Sequence, residues 1–471
     1  MKNTLYILSL ILLMFSCDRE DYLDIQPKGQ VIPSKINDYR LLLDQTEVFG
    51  NTQGLQVISP GFVNSFSNNE LTSDDVMITD NLISFFPDGV ASTNTYTWND
   101  NIYTEAEEDG DWQTLYGQIY VSNIIIKDAP NASDGTLEDK LALKAEAQAH
   151  RAFAYFSLVN LYAPHYNAAT ANTDLSIPLR LNTELIGIDF PRATVSDVYD
   201  VILDDLTEAV TYLPNTPELI HRPSKAGAYS LLARIYLYMG DFENARDAAN
   251  NALTLNNTLV DFNTFPDWFF PGIASPGDIP QEDPEIIWHK ASSGTYSTTI
   301  ASDDYLNLLE PNDQRRRLFG PPSLFGLSGT EQIYAMGFAR GFKPIGPSTA
   351  EMFLTRAECY ARLNQVNLAV NDLNTLREKR MDTDTFTPIT ATDQNEVLAL
   401  VKKERRLELF MKGHRLFDLK RYNVYDTPKI DLTHTYNGNT FTLPANSKNW
   451  ALPIAKKYIL QNPEIGDNIR D

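Results

Sequence analysis

The sequence predicts a mainly α-helical protein in which tetratricopeptide-like helix pairs support an irregular, loop-rich lobe with minor β structure. Three observations predict it. Long stretches repeat apolar residues at the i, i+3, i+4, i+7 spacing of half-buried helices. One of these stretches recurs 124 residues later in the same register. Two further regions, about 46–101 and 256–349, carry no period and are rich in Asn, Ser, Thr, Gly or Pro, too long for simple connectors.

The chain opens with Lys2 and an apolar run from Leu5 to Phe15, then Ser16, Cys17 and the acidic Asp18, Glu20 and Asp21. Such a run suits a signal-peptide core and falls short of the roughly 20 apolar residues that span a bilayer. A cysteine after a small residue at its end reads as a lipoprotein site: residues 1–17 form the signal, ending at a lipidated Cys17, and 18–471 form a single domain. Phe15 stands where a small residue is commoner, and the alternative is an ordinary secretory signal. Either way the chain leaves the cytosol.

After an extended tether, a short helix is predicted from about Ser34 to Gln45. The first aperiodic region follows, with Phe62, Phe66, Phe85, Phe86, Tyr96 and Trp98 scattered through it. Helices are predicted over Asp111–Ala129, with Trp112, Leu115, Tyr116, Ile119 and Asn123 on one face, over Asp139–Ala163, and over Ser196–Leu213, closed by Pro214. From Ala226 the pattern reads Tyr229, Ala233, Tyr236, Gly240, Ala245; 124 positions later it reads Phe353, Ala357, Tyr360, Asn364, Ala369. A small residue where two helices touch, a ring beside it and a turn residue between them is the tetratricopeptide register. The second aperiodic region separates the copies. A last helix, about Gln394 to Arg421, precedes a hairpin turning at Asn437-Gly438.

Composition narrows the function. The chain has 471 residues and a formal net charge of −23, which argues against nucleic acid and against docking on anionic lipid. With only Cys17 and Cys359 present, acylation of Cys17 leaves no intramolecular disulfide. The six histidines show no paired metal-ligand spacing, and there is no nucleophile elbow, P-loop or dinucleotide fingerprint. No cofactor and no enzymatic activity are expected. Glu105, Glu107, Glu108, Asp109 and Asp111 are read as a solvated run in which Asp109 or Asp111 caps the next helix, with a calcium site as the alternative. Glu404, Arg405, Arg406, Glu408, Arg415, Asp418 and Arg421 form a charged ladder whose spacing suits salt bridges along a helix, a structural role.

Several stretches resemble the SusD/RagB family of outer-membrane nutrient-binding lipoproteins. They are Leu23-Asp24-Ile25-Gln26-Pro27-Lys28-Gly29; Ala145-Glu146-Ala147 through Arg151-Ala152-Phe153-Ala154-Tyr155-Phe156; Arg356-Ala357-Glu358-Cys359-Tyr360-Ala361-Arg362-Leu363; Glu404-Arg405-Arg406-Leu407-Glu408-Leu409 running to Gly413-His414-Arg415-Leu416-Phe417-Asp418-Leu419-Lys420-Arg421-Tyr422; and Leu452-Pro453-Ile454 with Asn462-Pro463. They keep the family's order and cover nearly the whole chain. Arg421-Tyr422 stands where the family often has Arg-Trp. The resemblance implies about four helix pairs, a ligand site in the lobe, and a lid over a SusC-like TonB-dependent transporter. It also implies a lipid-anchored position on the outer membrane, facing the cell exterior of a Gram-negative bacterium.

A glycan offers flat C–H faces and rings of hydroxyls, so its site needs exposed aromatic plates with Asn, Asp or Arg beside them. On that chemistry the ligand-binding candidates are Trp98 with Asn99 and Asn101, together with Phe86, Trp268, Tyr296 and Tyr305. For any single ring the competing reading is a place in the core under a loop. Trp112 and Tyr116, by their helical spacing, are assigned to the core. The expected function is binding of a nutrient, a glycan or oligosaccharide above all, and its delivery to the transporter. A helical-repeat scaffold without a small ligand and a glycoside hydrolase with a spatially assembled carboxylate pair are the alternatives.

Overall fold

A computed structural model describes residues 33–44, 61–66, 69–79, 89–184, 187–265, 283–293, 300–321, 323, 329–334 and 342–471. Two early helices, α1 (Ile36–Leu43) and α2 (Gly89–Tyr96), precede the repeat array. The array begins with α3 (Gly110–Asp128), α4 (Leu137–Tyr162) and α5 (Val195–Tyr212). It continues with the first repeat copy, α6 (Lys225–Met239) and α7 (Phe242–Leu255). After the one-turn α8 (Asp303–Leu306) come the second copy, α9 (Thr349–Arg362) and α10 (Val366–Glu378), then α11 (Gln394–Glu408), α12 (Arg415–Tyr425) and α13 (Lys456–Gln461).

Most of the long helices begin where a short polar side chain takes over orphan amides. Thr136 and Thr194 form capping boxes with Asp139 and Asp197, opening α4 and α5. The repeat is kept down to these caps. Ser224 accepts from the Gly227 amide at 3.2 Å, and Ser348, 124 positions on, accepts from Glu351 at 3.3 Å. The helix-contact alanines Ala233, Ala245, Ala357 and Ala369 are all fully buried. Between the paired helices the chain must turn left-handed. Gly240 does so at φ 77°, where a Cβ would meet the Tyr425 ring at 3.0 Å, and Asn364 does so at φ 58° in the second copy. Asparagine is the residue after glycine that tolerates this conformation best.

Helix α4 packs between α3 and α5, and α9 packs on α7, α10 and α11. The α7–α9 contact joins the two repeat copies, so the residues between them leave the stack and return to it. Parts of both aperiodic regions then meet. Strands β1 (Val76–Met77), β5 (Ile300–Ala301), β6 (Phe319–Gly320) and β7 (Ile333–Tyr334) form one antiparallel sheet in the order β1-β5-β7-β6. Its rings Tyr305, Phe319 and Tyr334 close on Phe410, just past the end of α11, making a small second core. Strands β2 (Leu175–Pro178) and β3 (Arg192–Thr194) pair beside α5, and β4 (Ala291–Ser293) pairs with β8 (Phe342–Pro344). The hairpin β9 (Leu432–Tyr436) and β10 (Asn439–Leu443) turns at Asn437-Gly438, both left-handed, as the two-residue loop demands.

The predicted last helix is two helices. Met411 (φ 56°) and Gly413 (φ 81°) interrupt it, and a Cβ on Gly413 would lie 2.9 Å from Phe66. This break redirects the charged ladder. Asp418 and Arg421 pair within α12 at 2.8 Å, but most of its bonds run to other elements. Arg421 and Arg405 meet Glu358 and Asp418; Arg406 and Arg415 hold Asp75 and Asp74; Glu404 and Glu408 hold Arg377 and Arg380. The ladder therefore locks helix to helix and stack to lobe.

Candidate functional site

The structure places the predicted binding residues unevenly. Trp98 is 7% exposed and lies in the core, a correction to its reading as an open stacking plate. It sits left-handed (φ 53°) just past the end of α2, which turns its ring inward. There its indole N–H donates to the Thr72 carbonyl at 3.2 Å, and its face stacks on His434 at 4.2 Å. His434 stacks Tyr96 at 4.0 Å. Tyr305 is 1% exposed, also a correction; its hydroxyl donates to the Leu407 carbonyl at 3.0 Å and its ring meets Phe410 at 4.2 Å. Asn99 and Asn101 are exposed and bond each other, Asn101 N–H to Asn99 Oδ1 at 2.9 Å. Cys17, Phe86, Trp268 and Tyr296 lie outside the described residues.

Open aromatic surface occurs elsewhere. A cleft of about 250 Å³ lies between α3, residues 178–182 with Phe190, and α13. Its rings are the half-buried Tyr116, Tyr120, Phe190 and Tyr458, together with the buried Trp112. Three of them rise from α3 at i, i+4 and i+8, so they form one stripe along that helix. Trp112, with Leu115 and Ile119, is buried as its spacing predicts, whereas Tyr116 and Tyr120 sit at the stripe's half-buried edge and face the cleft. Tyr120 makes no hydrogen bond among the described residues.

The floor is fixed by hydrogen bonds. Tyr116 donates its hydroxyl to the Pro178 carbonyl at 2.8 Å, and burial holds that hydroxyl well above the usual tyrosine range. Tyr458 donates to the Asp109 carbonyl at 3.0 Å and stacks on Trp112, centroids 5.7 Å apart. Asn123 donates to the carbonyls of Arg180 (2.8 Å) and Asn182 (3.2 Å), while its Oδ1 accepts from Arg151 at 2.8 Å. Tyr155 clamps Arg180 from beneath, accepting its N–H at 2.7 Å and donating to its carbonyl at 2.6 Å. The guanidinium of Arg180 lies 4.5 Å from the Phe190 ring centroid. Asn182 and Asn462 add amides at the rim, and no Asp or Glu is among the described lining residues.

Asp109 caps the next helix, as the sequence predicts for it or Asp111, but both are buried and so are not part of a solvated run. Its carboxylate caps α3, accepting from the amides of Asp111 (3.0 Å) and Trp112 (3.4 Å), and takes the Tyr162 hydroxyl at 2.6 Å. Burial, reinforced by Asp111, pushes its carboxyl from 3.8 up to about 7, against those hydrogen bonds. A folded value above the unfolded one means the native state holds an extra proton between these pH values. The resulting stability is complete below about pH 4 and is lost as pH rises through about 7. In urea melts between pH 5 and 8, Asp109→Asn is expected to flatten the fall in stability relative to wild type; parallel curves would contradict this assignment.

Sequence reasoning missed Tyr120, Phe190, Tyr458, Arg180, Asn182 and Asn462. The i+4 continuation from Tyr116 could have found Tyr120. The others come together only in space.

Helix pairs, a small lobe and an open aromatic cleft define a helical-repeat protein with an aromatic groove on its surface. Residues 21–237 match the SusD-like family described as "Starch-binding associating with outer membrane", and residues 349–469 match the SusD family. SusD-like protein P38 of Formosa agariphila is 24% identical over 438 residues, 79% of this chain and 82% of that one. SusD-like protein P2 of the same organism is 27% identical over 391 residues, 69% and 74% of the two chains. The fold is similar to a SusD superfamily protein from Bacteroides thetaiotaomicron (TM-score 0.71, 19% identity, 93% of this chain and 100% of that one). It is also similar to a SusD-like carbohydrate binding protein from Bacteroides vulgatus (TM-score 0.66, 21% identity, 92% and 98%). The chain belongs to the SusD/RagB family, which is associated with the outer membrane. Among the described residues no helix is long and apolar enough to cross a membrane.

Proposed function

We propose that this protein binds a glycan at the cell surface and delivers it to a SusC-like TonB-dependent transporter, moored to the outer membrane by a lipid on Cys17. The observation that carries the binding is the cleft over α3, where rings fixed in place stand beside amide and guanidinium donors. Family membership supports the carbohydrate ligand and the transporter partner. Affinity from stacking and a few hydrogen bonds is modest, which favours release to the transporter.

Tyr120→Ala tests the site. The ring is half-buried and makes no hydrogen bond among the described residues, so its loss leaves the fold nearly unchanged. One stacking contact is worth about 1–1.5 kcal/mol, roughly tenfold in Kd. Calorimetry with a panel of neutral and acidic oligosaccharides is expected to show wild-type binding that the variant weakens about tenfold, with the melting temperature held within a few degrees. No heat with any glycan would favour the scaffold reading, and new reducing ends at catalytic turnover would favour the hydrolase.

A further inference from the structure

We infer that the ligand of the aromatic cleft carries an oxyanion, a uronate carboxylate or a sulfate ester, which pairs with Arg180. This rests on the cleft being the glycan site. Acidic side chains outnumber basic ones 62 to 39, so an arginine of this chain finds a carboxylate easily. Arg151, Arg222, Arg234, Arg356 and Arg415 each turn the same edge, Nε and Nη2, onto one Asp or Glu. Arg180 has no ion pair among the described residues. Its Nη2 donates to the Glu184 carbonyl, and its Nε is closed off from solvent without an acceptor.

The placement of Arg180 is built rather than loose. The backbone of Arg180 is held on both its N–H and its carbonyl by Tyr155, and again on the carbonyl by Asn123. The guanidinium is laid across Phe190, one of the cleft's rings. Arg180 is also the sole cation among the described residues lining the cleft, and no lining carboxylate competes for it. A guanidinium presents a planar fork of donors that matches carboxylate and sulfate oxygens, and its charge strengthens each such bond. An acidic sugar stacked on the rings would set its oxyanion against Nη1, the guanidinium nitrogen that makes no hydrogen bond among the described residues. A neutral sugar would offer only hydroxyls to the same charge.

The test uses the lipid-free full-length protein and matched probe pairs in low-salt calorimetry. One pair is an oligogalacturonate and its methyl ester, identical in backbone and differing in charge. The other is a sulfated galactan oligosaccharide and its desulfated form. Wild type is expected to bind at least one acidic probe tenfold or more tighter than its neutral partner, and the favoured pair tells carboxylate from sulfate. Arg180→Gln is expected to erase that preference, so that acidic and neutral forms bind it equally, with the melting temperature held within a few degrees. Equal binding of acidic and neutral forms by wild type, or a preference that survives in Arg180→Gln, would overturn the inference and leave the glycan reading standing. Binding of none of the four probes, or binding unaffected by Tyr120→Ala, would remove the cleft as the site and this inference with it.

Discussion

Replacing Glu358 by alanine is expected to lower the unfolding free energy by about 3–5 kcal/mol, the cost of stranding a buried charge. Glu358 on α9 accepts from Arg421 Nη1 and Nη2 at 2.5 and 2.6 Å, and from Arg362 Nε at 2.8 Å. Arg421 in turn holds Asp418 at 2.8 Å, which also takes Arg405 at 2.8 Å. Glu358, Arg405 and Arg421 are fully buried, so water cannot replace a missing partner. Burial alone would push the Glu358 carboxyl upward, yet the guanidiniums of Arg421 and Arg362 outweigh it and hold it far below the usual range. Glu358→Ala leaves Arg421 with the Tyr422 hydroxyl and with Asp418, a carboxylate already shared with Arg405. Urea denaturation near neutral pH measures the loss, and a change under about 1 kcal/mol would show that the network is not what joins α9 to α12.

Trp98→Ala is expected to cost a similar amount, about 3–5 kcal/mol, by leaving a cavity in a packed core. The ring is stacked on His434, which contacts Tyr96 on its own account, and its N–H is bonded to the Thr72 carbonyl. Removing it separates the loop after α2 from strand β9 and leaves that carbonyl without its donor. Glycan affinity of the folded fraction is expected to stay at the wild-type value, because Trp98 does not line the cleft over α3. A variant with an unchanged melting temperature and lost binding would return Trp98 to the ligand site.

The helix pairs were legible because their signal is local. The small residue at Ala233 and Ala357, the caps at Ser224 and Ser348, and the left-handed residues Gly240 and Asn364 each act within one or two turns of chain. The hairpin at Asn437-Gly438 is legible for the same reason. The break between α11 and α12 had a local sign in Gly413, but the reason for it is Phe66, far away in sequence. Trp98 shows the limit most plainly. Its composition and neighbours, with two asparagines close by, suit an open sugar plate, and only the left-handed turn after α2 sends the ring inward. The cleft itself joins a stripe of α3 to residues 178–182 with Phe190 and to the C-terminal helix α13, a conjunction no periodicity announces.

By itself, then, the order of residues determined the repeat, its register and the chemistry a ligand would demand, since backbone propensity and amphipathic spacing act between near neighbours. Which rings stay open, which carboxylate meets which guanidinium, and that Arg180 is left without an ion pair among the described residues were decided only when distant segments packed together. Burial and pairing belong to that packing, because whether a side chain meets water or another group depends on what the rest of the chain lays over it.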